Sequence, residues 1–75
     1  MTKSKVYFMD MQFGLLVRQK RKERGVSIRE LERITGVTRA FISRIENGDS
    51  IPSIVIICKL AKGLNIPAQE LYWYK

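Results

Sequence analysis

Two arginines, Arg39 and Arg44, are separated by a short stretch that includes the small residues Ala40 and Ser43. An arginine fork can donate paired hydrogen bonds to guanine O6 and N7, and an alanine can meet a thymine methyl. Small residues between them let a helix approach base edges closely. On a helix turning 100° per residue, Arg39, Ala40, Ser43 and Arg44 fall within about 140° of one another, while Ile42 and Ile45 take the other side. The chemistry open to such a face is recognition of bases in the major groove of double-stranded DNA. An ordinary solvent-exposed helix face could carry the same four residues, so the elements around them decide.

Other chemistry finds little support. The chain has no His, which removes the commonest general base and the imidazole metal ligand. Its single Cys58 cannot form an internal disulfide or a thiolate cluster, and its apolar neighbours suggest a small buried residue. No Gly-rich phosphate loop occurs, nor an apolar run long enough to cross a membrane, nor a signal segment. The expectation is a cytoplasmic, nucleoid-associated protein that is not an enzyme and has no catalytic residues, cofactor or metal.

The elements needed to present that face are legible. Ser27 and Glu30 form a capping box that starts a helix, on which Leu31 and Ile34 make an apolar side. Gly36 permits a sharp turn, Thr38 can cap a second helix, and Asn47-Gly48 stops it. Two short helices joined around a Gly form a helix-turn-helix, here residues 27–48 with the stop included. The net charge of +7 calls for an anionic partner, nucleic acid or an acidic membrane surface. From Arg18 to Arg44 nine basic residues face three acidic ones, so the excess is concentrated on this motif.

The 75 residues suit one domain with one modest core. Asp10 can cap a first helix ending near Arg24 and Gly25, with Phe13, Leu16 and Val17 inward. Ser53 can cap a later helix, to about Gly63, whose inner face runs Ile54, Ile57, Leu60, Ala61 and Leu64. Pro67 opens a last short helix to about Leu71. Residues 1–9 read as an extended arm. Val6 to Met9 and Leu71 to Tyr74 have strand composition. They suit either a small two-stranded antiparallel ribbon joining the termini, or a frayed N-terminus with a helical C-terminal turn.

From Phe13 to Leu71 the chain resembles the Cro/CI-type, Xre-like family of helix-turn-helix regulators. The likeness rests on Arg21 and Gly25, on Leu31 followed by Gly36-Val37-Thr38, on Ile42-Ser43-x-Ile45-Glu46-x-Gly48, on Pro52-Ser53, and on Leu60-Ala61-x-x-Leu64. The resemblance implies an all-α, five-helix, lambda-repressor-like domain that binds operator DNA as a transcription regulator, a repressor or controller. It also implies an ion pair between Arg21 and Glu46 that fixes the angle of the recognition helix. An antitoxin or anti-regulator that binds a protein is the alternative on the same fold. Glu32 stands where the family usually has a small residue, and Arg29 or Arg33 could neutralise it. Ile28 replaces a polar residue and is given no base contact.

Phosphate contacts are expected from Ser27, Thr38 and Asn47 at helix ends, from Arg29, and from Arg21 as a second role. Arg18, Lys20 and Lys22 add non-specific attraction. A homodimer is expected through Val55 and Ile56, which point away from Ile54, together with Tyr72 and Trp73. Phe41 is expected to pack against the helix that follows rather than touch DNA.

Overall fold

The computed structural model describes residue 14 and residues 16–71, and four α-helices and one 3-10 turn lie among them. Helix α1 covers residues 16–23, with Gly14 also helical. It is followed by α2 (Ile28–Thr35), α3 (Arg39–Glu46), α4 (Ile54–Leu64) and the 3-10 turn Ala68–Glu70. The all-helical expectation holds for these residues. The fifth helix is corrected to that three-residue turn. Pro67 and the following short, polar stretch give too little apolar surface to propagate a longer helix. The expected ribbon of the termini lies outside the described residues, apart from Leu71, which is buried and unstranded.

Side chains close the helix starts. Ser27 Oγ accepts the Glu30 N–H at 3.0 Å, Thr38 Oγ1 accepts that of Phe41 at 3.2 Å, and Ser53 Oγ accepts that of Ile56 at 3.3 Å. The Glu30 carboxylate turns to Arg33 instead of completing a reciprocal box. That hydrogen bond holds the Glu30 carboxyl below its ordinary pKa and raises that of Arg33.

Backbone reversal closes the ends. Gly36 has φ +78° and returns its N–H to Glu32 O at 2.8 Å. A Cβ there would meet open space, so Gly36→Ala should cost only the strain of the left-handed conformation, about 1 kcal/mol. Denaturant unfolding should register that loss, and an unchanged midpoint would show that the turn tolerates a side chain.

Helix α2 packs on both α3 and α4, and α4 on the final turn. Val17, Leu31, Val37, Ile42, Ile45, Leu60, Ala61, Leu64 and Leu71 form the core. Phe41, Ile56 and Ile57 pack partly buried against it. Several expectations are corrected here. Ile34 and Ile54 are exposed rather than core residues. An eight-residue α2 buries one narrow stripe at Leu31, and the first turn of α4 lies beyond the core that its later residues Leu60, Ala61 and Leu64 enter. Ile56, expected at a dimer surface, is instead half-buried, and Cys58 is exposed rather than buried. Both follow from the rotation of α4, which turns Leu60 and Ala61 inward.

Candidate nucleic-acid interface

Helix α3 separates its two sides sharply. Ile42 and Ile45 are wholly buried, whereas Arg39, Ala40 and Arg44 are exposed and Ser43 is half-buried. The four residues read as base contacts therefore share one accessible face. Each arginine is held from behind. Arg44 donates Nε to Ser50 Oγ at 3.3 Å, and its guanidinium carbon lies 5.8 Å from the Phe41 ring centroid, within cation–π range. Arg39 Nε lies 3.1 Å from Glu32 Oε1. Neither Arg29 nor Arg33 takes that place: Arg33 pairs with Glu30 along its own helix. Glu32 instead reaches across the turn, because α2 and α3 meet there.

The other end of α3 is fixed by charge. Glu46 is the one buried charged residue among the described positions, at 4% exposure. Arg21 donates Nε to Glu46 Oε2 at 2.8 Å and Nη2 to Oε1 at 3.1 Å, while its Nη1 donates to Val26 O at 3.0 Å. The bonds to Glu46 raise the Arg21 pKa above its ordinary value, against the opposing effect of burial and with help from the carboxylate's charge. Arg21 and Glu46 are thus brought together between α1 and α3. With three donors engaged inside the protein, Arg21 has little left for a phosphate.

Sequence reasoning missed the part played by Arg18. Its Nε lies 3.4 Å from Glu46 Oε1, and its Nη2 donates to Asn47 Oδ1 at 2.9 Å. The spacing of Arg18 and Arg21 was the available signal, since residues three apart share a helix face. With its oxygen occupied by Arg18, Asn47 can turn its amide N–H groups outward.

The remaining phosphate candidates are dispersed around α3. Ser27, Arg29 and Thr38 are exposed, at the start of α2, on α2 and at the start of α3. The Ser27 and Thr38 oxygens accept capping bonds, which leaves their hydroxyl protons available to an acceptor such as a phosphate. Lys20 lies 3.6 Å from both Glu23 and Glu70, and Lys22 is exposed. Ile28 is packed, partly buried, against the core. Of the expected dimer residues, Val55 is exposed, whereas Tyr72 and Trp73 lie outside the described residues. Among the described residues, no cluster of His, Cys, Asp or Glu could hold a metal ion, and no helix is long and apolar enough to cross a membrane.

The helix-turn-helix family model matches residues 17–71, a span that runs from α1 through the final turn. The chain belongs to the helix-turn-helix family. The family is one of transcriptional regulators, not enzymes. Similar curated proteins include the HTH-type transcriptional repressor RghR of Bacillus subtilis, 42% identical over 81% of this chain and 46% of that protein. The HTH-type transcriptional regulator SutR of Escherichia coli is 39% identical over 68% of this chain and 29% of its own length. This helix-turn-helix chain thus spans less than half of either relative. Among solved structures, the restriction-modification controller protein C.AhdI of Aeromonas hydrophila is 33% identical with a TM-score of 0.81, covering 84% of this chain and 96% of that one.

Proposed function

We propose that this chain is a sequence-specific double-stranded-DNA-binding regulator of transcription, a repressor or controller protein acting on a near-palindromic operator as a homodimer. The observation that carries the reading is the exposed α3 face of Arg39, Ala40, Ser43 and Arg44, set at its angle by a buried ion pair. The printed roles of RghR, a transcriptional repressor, and C.AhdI, a restriction-modification controller, support it. Phosphate contacts from Ser27, Arg29, Thr38 and Asn47 would set the register of the helix on the duplex. Work on an operator puts the protein in the cytoplasm, at the nucleoid.

Dimerisation has support in an apolar surface before and at the start of α4, where Ile51, Ile54 and Val55 are 63%, 55% and 59% exposed. Val55 stays in the proposed interface and Ile51 and Ile54 join it, while Tyr72 and Trp73 remain expected members by their sequence. A two-fold dimer would put two recognition helices about one DNA turn apart, roughly 34 Å. Sedimentation that finds only monomer at high micromolar concentration, with and without the selected duplex, would remove the dimer.

Selection from random duplex DNA tests the main reading and should return a near-palindromic consensus. Affinity for it should fall steeply with salt. Arg39→Ala and Arg44→Ala should each cost about 1–3 kcal/mol on the consensus and relax preference at one base position per half-site. A uniform loss over all sequences on Arg44→Ala would make Arg44 a phosphate contact. Failure to select any sequence would overturn the reading.

A further inference from the structure

Glu32 is the departure from the family pattern that the structure puts to use. Both of its carboxylate oxygens go to one residue across the turn. Oε1 lies 3.1 Å from Arg39 Nε, and Oε2 accepts the Arg39 backbone N–H at 3.1 Å. The backbone bond satisfies a donor at the first residue of α3 that has no partner within its own helix. The side-chain bond engages the inner edge of the guanidinium and leaves its two terminal amino groups, the pair suited to guanine O6 and N7, on the outer end. Arg39 itself remains 60% exposed at its side chain, so the grip does not bury the fork.

We propose that Glu32 is a specificity-determining positioning residue, which aims Arg39 at its base and at the same time lowers the pull of the recognition helix's N-terminus on phosphate. This rests on the reading of α3 as a base-reading helix. Two consequences have opposite signs. A pre-aimed Arg39 loses less freedom when it meets the right base, which strengthens binding to the preferred sequence. A fixed carboxylate at a helix N-terminus takes up one free N–H and adds a negative charge near the phosphates, which weakens binding to every sequence alike. Glu32 therefore widens the gap between preferred and indifferent DNA through Arg39, while the uniform term lowers the affinity for both.

The test uses the full chain, a duplex selected from a random pool, its single-base variants and a shuffled duplex. Glu32→Gln should reduce discrimination at the base position read by Arg39 by about tenfold, leave the other positions as they are, and tighten binding to the shuffled duplex. In an Arg39→Ala background the same change should no longer alter discrimination. Glu32→Ala, measured with its thermal midpoint, separates positioning from folding, since loss of folded protein weakens all duplexes together while loss of aim does not. Unchanged discrimination in Glu32→Gln, or a loss spread equally over every position, would overturn the proposal while leaving DNA reading intact. A wild-type chain that binds all sequences equally would overturn both.

Discussion

Glu46→Ala is expected to remove about half of the protein's stability. The Glu46 side chain is 2% exposed and that of Arg21 is 12% exposed, so deleting the carboxylate strands a guanidinium where water has little access. Removing one partner of a buried pair costs about 3–5 kcal/mol, because the surviving charge keeps its desolvation penalty without its compensation. A domain of this size has roughly 5–10 kcal/mol in total. Arg18 loses a partner in the same event, although at 39% exposure it can turn to solvent. Denaturant unfolding of Glu46→Ala, Arg21→Ala and the double variant should give a coupling on the order of 0.5–3 kcal/mol, and additive single effects would refute the pairing. DNA affinity should drop further than the fraction folded explains, because the C-terminal end of α3 is then unheld against α1.

The second large effect is expected at a residue without a side chain. A Cβ on Gly14 would meet the backbone oxygens of Ile45 and Glu46, the latter at 2.9 Å. Two effects oppose each other in Gly14→Ala. Helix propensity favours Ala over Gly by about 1 kcal/mol. Against that, neither carbonyl can swing aside as a side chain would, so α1 must move off the end of α3, at or above the upper end of the roughly 1–3 kcal/mol typical of overpacking. Overpacking should win, with a lower thermal midpoint and weaker DNA binding. A raised midpoint would show that the two helices do not approach so closely. Gly63 differs in kind, since its Cβ would meet side-chain atoms, the Thr35 methyl and Leu31 Cδ1, rather than backbone. Thr35 is itself tied down, donating to Leu31 O at 2.7 Å and accepting from Val37 N at 3.1 Å.

Much of the motif was legible because its signals are local. Ser27, Thr38 and Ser53 cap helices within three residues of themselves, and Gly36 reverses the chain at its own φ. The alternation of Ile42 and Ile45 with Arg39, Ser43 and Arg44 assigns the two sides of α3 by helical period alone. The likeness to Cro/CI-type regulators added the Arg21 and Glu46 pair, which spans 25 positions and which no local pattern reveals.

The errors fall where a residue's fate depends on a neighbouring element. Ile34 and Ile54 have the spacing of core residues, yet are exposed because α2 is short and the core meets α4 only beyond its first turn. Ile56 and Cys58 traded their expected environments because helical periodicity gives relative angles on α4 but not the helix's rotation against the core. The last helix was overestimated because Pro67 marks a start without setting how far a helix propagates.

By itself, the sequence determined an all-helical domain with a turn at Gly36, a basic excess around it, and an α3 with one apolar and one recognition face. These follow from capping, chirality and the 3.6-residue period, which act over a few bonds. Only the tertiary structure decided that Arg18 joins Arg21 on Glu46, that Gly14 lies against the end of α3, and that Glu32 reaches Arg39 rather than Arg29 or Arg33. Those outcomes depend on how close two helices approach and on which way each is rotated. Packing of the whole core sets both.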